Sequence, residues 1–390
     1  MAVSGRADEI PFTEIKHLSS DQVLCEQYYP CGVTAASCFY GARDGIEQTI
    51  LAAGGNDSQL YVHMMLPKVT REGHTINFEG EIIEQVQLSP NGEYLFVRTS
   101  GETHTIQVYE TNTLFDWEHD PSPIFSHLHR VQPVIFARFT KDSTRLEMLT
   151  GGEGTPILMD TDLRRKDTVV TLRNSFSESR DICYMADMTK DRDVVIFTDD
   201  YGFSYVYRLV DGSYQLTFDR IRLGGVGRAK NSVRLFQAHP DVVQIMQEGE
   251  MEMAGIFDYT FLDTPVDSCG VAYFTTLDMQ NNIADTSVPT VPDYTDESIR
   301  DAWFTPDGAI VLGYADGKIL VQSNPAYGEQ RNLLERDIPI TDLNIDDTSF
   351  TRTDGKLVIT TQGGYLQVID ISHARQGNIF LRGWSNSPLN

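Results

Sequence analysis

The sequence predicts an all-β chain built from seven copies of one strand-turn-strand phrase, and three observations predict it. A short third strand recurs as "LYVHM", "IQVYE", "ILMDT", "YVYRL", "GIFDY", "ILVQS" and "LQVID". Upstream of each lies an apolar, β-branched run: "ILAAGG", "YLFVRT", "LEMLTG", "VVIFTD", "VVQIMQ", "IVLGYA" and "LVITTQ". Most of these runs follow a tight-turn signal, and no long stretch carries a 3.6-residue apolar period or a capping box.

The elements can be justified in order. Anchoring each copy on one apolar residue gives Val62, Val108, Met159, Val206, Phe257, Val321 and Val368, spaced 46, 51, 47, 51, 64 and 47 residues apart. The central run is apolar at successive positions, as a strand covered on both faces must be. The turns "SPNG", "TKDS", "TKDR", "HPDV", "TPDG" and "RTDG" place Pro where φ is fixed, or Asp, Asn and Gly where the left-handed region is tolerated. Second turns such as "GGNDSQ", "GGEGTP", "DDYGFS" and "ADGK" use the same chemistry. A fourth, less regular strand fits each interval, for example "SYQLTFDRI" after Val206.

A period near fifty residues with four short strands per unit predicts a seven-bladed β-propeller with four-stranded antiparallel blades. The blades are expected near residues 22–66, 76–111, 124–161, 170–209, 214–261, 270–323 and 333–372, in one domain spanning residues 1–390. A strand at residues 9–18 is expected to close the ring, with residues 377–384 as the competing candidate, because an open ring leaves unpaired edges.

On these residues the chain resembles the WD-repeat propeller family from about Ile10 to Ser372. "VQLSPNGEYLFVRTSGETHTIQVYET" matches the family's strand, Ser-Pro-Asp-Gly-type turn, buried strand, second turn and final strand. "ILAAGGNDSQLYVHMM" and "AWFTPDGAIVLGYADGKILVQSN" follow the same phrase. Departures are plain: the Trp-Asp dipeptide is replaced by Val62-His63, Val108-Tyr109, Met159-Asp160 and Phe257-Asp258, and no Gly-His pair opens a blade. The resemblance implies a rigid platform for other proteins.

Composition narrows the classes. The 390 residues are 41% hydrophobic and 10% aromatic, ample for a core. No apolar run is long enough to span a bilayer, and the opening residues hold no secretory h-region, so an intracellular protein of cytoplasm or nucleus is expected. Five cysteines, Cys25, Cys31, Cys38, Cys183 and Cys269, form no CxxC pair, which suits packing thiols in a reducing compartment. The glycosylation triplet at Asn56 falls in a predicted turn and is read as chance. A formal net charge of −25 repels phosphate backbones and anionic membranes and favours basic partners.

Two segments depart from the background. Residues 278–298 account for the one long interval and read as an acidic loop insertion, in which Asp285, Asp293, Asp296 and Glu297 would meet basic groups. "RIRLGGVGRAKNSVR" concentrates Arg220, Arg222, Arg228, Lys230 and Arg234 with no intervening acid, a candidate dock for an acidic partner segment, a phosphorylated peptide or a phosphoinositide head group. Its glycines lack the Walker spacing. Arg164, Arg165 and Lys166 make a smaller cluster. His127 and His129, with His119 and Asp120 nearby, lack a placed third ligand, so no metal is expected.

No GxSxG elbow, HExxH pair, kinase set or dinucleotide fingerprint occurs, and neither catalytic residues nor cofactors are expected. The expected function is a non-catalytic protein-protein interaction scaffold, a propeller subunit of a multiprotein complex of nuclear pore, coat, kinetochore, checkpoint or ligase-adaptor type. Two alternatives stand beside it: an acidic chaperone or reader of basic peptides such as histone or ribosomal-protein segments, and a propeller hydrolase of the sugar-lactonase type. Partners are expected to be other proteins, with basic segments among the candidates, within a hetero-complex and without direct nucleic acid contact.

Overall fold

A computed structural model of the chain describes residues 23–370 apart from 44, 102–103, 129–132, 153–155, 165–169, 177–182, 190, 200–202, 223–228, 240–241, 251–269, 282, 288–298, 305–309, 315–318, 323–331, 337–347, 354–355 and 362–364. These residues form mostly antiparallel β-sheet.

Strand β1 (Val23–Tyr28) is followed by β2 (Val33–Arg43), β3 (Ile46–Gly55), β4 (Gln59–Leu66), β5 (Val69–Glu72) and β6 (Ile76–Asn77). Strands β2 to β5 pair in order, and β6 also pairs with β4. Next come β7 (Ile82–Leu88), β8 (Tyr94–Ser100), β9 (Thr105–Glu110) and β10 (Phe125–Leu128), with a 3-10 turn at Thr111–Phe115. Three further sheets pair in chain order: β11 (Val134–Phe139) to β14 (Val170–Ser175) through β12 (Arg145–Thr150) and β13 (Ile157–Asp162); β15 (Cys183–Met188), β16 (Val194–Asp199), β17 (Phe203–Val210) and β18 (Ser213–Arg222); and β19 (Ala229–His239), β20 (Val242–Glu250), β21 (Gly270–Asp278) and β22 (Ile283–Ser287). The last two comprise β23 (Ile299–Phe304), β24 (Ile310–Tyr314), β25 (Ile319–Gln322) and β26 (Asn332–Arg336), then β27 (Thr348–Thr353), β28 (Lys356–Thr361) and β29 (Tyr365–Asp370) with β1 beside β29.

The apolar runs lie where their patterning requires. All six residues of β16 are buried, as are the last eight of β3. The first turns share one construction. Gly92, Ser143 and Arg192 each donate N–H to the carbonyl three residues back, at Ser89, Thr140 and Thr189, over 2.8, 2.8 and 2.9 Å. Each takes a positive φ, of 71°, 58° and 64°, so the left-handed corner falls on glycine in only one of the three.

Sheets join by packing of their faces. Strand β2 lies against β7 on one side and against β27 and β28 on the other, β15 against β11 and β19, and β23 against β19 and β27. Ile50, Val62, Ile83 and Leu95 share one core between the β2–β6 sheet and the β7–β10 sheet. Phe96, Val134, Phe139 and Met148 share the next, and Phe176, Phe197 and Tyr207 belong to the one after it.

The expected ring is corrected here. Among the described residues the strands form separate open sheets, and no backbone ladder runs from one sheet into the next. The strand expected to close a ring, residues 9–18, lies outside the described residues; β1 at Val23–Tyr28 shares the sheet of β27–β29 instead. The physical reason is locality: a fifty-residue period encodes hairpin grammar, which specifies each sheet by itself, whereas a seven-bladed β-propeller is a statement about how whole sheets are disposed. The chain is accordingly described as an all-β protein of open antiparallel sheets.

Candidate binding groove

After β9 the chain tightens into the Thr111–Phe115 turn. Thr111 N–H bonds to the Glu93 carbonyl at 2.8 Å, and Leu114 is fully buried in the core between the β2–β6 sheet and the β7–β10 sheet. That anchor throws the following residues outward. Asp116 closes the turn with its carboxylate, which accepts the Glu118 N–H at 3.1 Å and meets His119 Nδ1 at 3.1 Å. The Glu118 N–H first, and the His119 ring second, hold the Asp116 carboxyl below the usual carboxylate range.

A second segment meets this turn from the neighbouring sheet. Between β5 and β6, Gly73 N–H bonds to the Val62 carbonyl at 2.7 Å and His74 N–H to the Leu114 carbonyl at 2.7 Å. His74 Nε2 lies 2.8 Å from the Asp116 carbonyl oxygen. Its ring rests on Trp117, with centroids 4.4 Å apart and planes 30° apart. Gly73 is obligatory for this approach, since a Cβ there would stand 2.9 Å from the Leu114 carbonyl oxygen.

Between the two lies an open groove of about 560 Å³, lined by Thr70, Arg71, Glu72, Phe115 and Trp117. Its volume falls within the range of about 300–1,000 Å³ usual for ligand clefts. Strand β5 is an end strand of its sheet. Its hairpin with β4 closes on Leu66 and Val69, so alternation turns the N–H and C=O groups of Thr70 and Glu72 away from β4. Trp117 is 67% exposed, the most exposed of the large apolar side chains among the described residues.

Sequence reasoning did not single out Trp117 or β5. The signal was present in "LFDWEHD", a tryptophan set among carboxylates where a buried strand would place neither. His119, considered as a metal ligand with His127 and Asp120, sits with Asp116 and Glu118, their ligand atoms all within 4.8 Å of one another. All three are exposed. His127 is half-buried on β10, and His129 lies outside the described residues.

The other expected site residues fall elsewhere. Arg220 and Arg222 stand at the end of β18, and the Arg220 guanidinium lies 4.6 Å from the Phe203 ring centre. Lys230 and Arg234 are on β19, in a different sheet, and Arg228 lies outside the described residues. Asp285 belongs to β22, paired with Thr276, so part of the predicted 278–298 loop is strand. Asp293, Asp296 and Glu297 lie outside the described residues, as do Arg165 and Lys166. Arg164 approaches Asp142 at 3.9 Å.

A further polar cluster joins Cys31, Asp57 and Tyr61. Tyr61 Oη donates to Asp57 Oδ2 at 2.6 Å, and Cys31 Sγ lies 3.9 Å from Tyr61 Oη. Burial, then the Asp57 charge, pushes the Cys31 thiol up, the opposite of what a nucleophile requires. Among the described residues no helix is long and apolar enough to cross a membrane.

No protein-family model matches the chain, and no curated protein matches it. The WD-repeat resemblance is therefore corrected: the shared turns and strand endings are hairpin grammar common to antiparallel sheets. With the ring and the family gone, the propeller scaffold loses its basis. The acidic chaperone or reader and the sugar-lactonase-type hydrolase fall with it, because each was read from the same architecture or from bulk charge. What the structure defines is an all-β protein with an aromatic-walled groove beside a strand, β5, that is an end strand of its sheet among the described residues.

Proposed function

We propose that the chain is a non-enzymatic binding protein that takes an extended segment of another protein in the groove between β5 and Trp117. The observation that supports this is the outward N–H and C=O row of β5 lying beside an exposed tryptophan. Free strand edges are templates for pairing, and an added strand gains its affinity from the main chain. A solvent-facing tryptophan is the residue type most often found at the energetic centre of an interface.

Selection of random phage-displayed peptides on the intact protein tests the reading. Peptides should emerge whose binding falls about tenfold or more when Thr70→Pro deletes an outward donor, and also when Trp117→Ala removes the wall. Peptides that bind both variants as well as the parent, or failure to recover any, would sink it.

A further inference from the structure

We infer that the exposed part of the Trp117 indole is the seat of a cationic side chain, arginine or lysine, carried by the bound segment. This rests on the strand-addition reading and adds the chemistry of the partner. The His74 ring stacks on Trp117 and orients it. The remaining indole is open to the groove, and a π-face of this kind attracts guanidinium and ammonium groups.

The charges around it have the complementary sign. Glu72 lines the same groove, while Asp116 and Glu118 flank Trp117 in the chain and are exposed. The Asp116 carboxylate is held in place by two donors, so its charge is fixed relative to the ring. Arg71 is the one cation among the lining residues. Lys68 occupies the β4–β5 turn, His63 pairs across from Glu72, and His74, His119 and Asp120 lie in the two flanking segments. Within the lining Glu72 and Arg71 balance, and the exposed carboxylates of Asp116 and Glu118 on either side of Trp117 give its surroundings their negative sign, within a chain of net charge −25. A cation over the indole would be held by the ring face and the carboxylates together, and a neutral side chain would gain only the area it covers.

The test uses the full chain with 5-fluorotryptophan in place of tryptophan, followed by fluorine NMR, with Trp117→Phe identifying the resonance of residue 117. The probes are N-acetyl-arginine amide and its neutral isostere N-acetyl-citrulline amide. The arginine probe should shift that resonance saturably and the citrulline probe should bind about three- to thirtyfold more weakly. Glu72→Gln combined with Glu118→Gln should weaken the arginine probe, leaving the circular dichroism unchanged. Equal shifts from both probes, or none from either, overturn the inference. The two proposals fail separately. Selected peptides that depend on Thr70 but tolerate glutamine at every basic position would leave strand addition standing and remove the cation. A specific arginine response without Thr70-dependent peptides would do the reverse.

Discussion

Arg192 and Glu147 form an ion pair across the boundary between two sheets, from the β15–β16 turn to β12, and Arg138 meets the same carboxylate from β11 at 2.8 Å. Glu147 is almost wholly buried, and Arg138 continues across the boundary by donating to the carbonyls of Met188 and Thr189 at 2.8 and 3.0 Å. One carboxylate thus pairs with two guanidinium groups, and Asp160 approaches the second of them, Arg192, at 4.0 Å. Tyr214 Oη donates to the Arg192 carbonyl at 2.6 Å, which ties the same turn to β18.

Glu147→Gln should therefore cost about 1–3 kcal/mol, below the range for a fully buried pair, because both guanidinium groups are partly exposed and keep other partners. Urea denaturation followed by circular dichroism measures it, and Arg138→Ala combined with Glu147→Gln should cost less than the sum of the single changes. Additive effects would mean the three side chains are not coupled.

Trp117 and Leu114, three residues apart, should separate binding from folding. Leu114→Ala removes a fully buried side chain and should destabilise by about 2–5 kcal/mol. Trp117→Ala changes an exposed position and should stay within about 0.5 kcal/mol of the parent in the same denaturation.

Gly73→Ala places a methyl group against backbone on both sides, 2.9 Å from the Leu114 oxygen and 3.1 Å from that of Val62. Neither is a flexible side-chain end, so a cost of about 1–3 kcal/mol is expected. The fluorine resonance of Trp117 should move as well, because His74 and the turn must shift to make room.

His63 predicts a pH dependence. Burial lowers its pKa below 6.5, although the Glu72 charge opposes this. The unfolded chain then binds the proton more readily than the folded one, so stability rises with pH in this window. The contribution is present above about 6.5 and is lost as pH falls through that value toward the lower folded pKa. Thermal unfolding between pH 7.5 and 5 should show the decline, and His63→Gln should flatten it; an unchanged slope in the variant would refute the assignment.

Much of the local structure was legible in the chain because it is made by neighbours. The phrase from Leu88 to Thr111 folds as β8, its tight turn and β9 because apolar residues flank a Ser-Pro-Asn-Gly corner, and Gly92 alone supplies the left-handed residue there. The same grammar placed the turns before β12 and β16, even though Ser143 and Arg192 carry the left-handed corner without being glycine. The buried runs of β3 and β16 follow from apolar patterning in the same way.

The groove and the charged junction were not legible, since their parts lie about forty to fifty positions apart in sequence and meet only when sheets pack. Nothing local distinguishes His74 from any other loop histidine until Leu114 is buried and carries Trp117 over it. The sequence by itself determined strands, turns and the sign of the surface charge, which short-range sterics and composition control. Only the tertiary structure decided that the sheets stay separate and open, which carboxylate bridges two arginines, and which sheet edge lies beside an exposed indole, because those depend on face-to-face packing between distant segments.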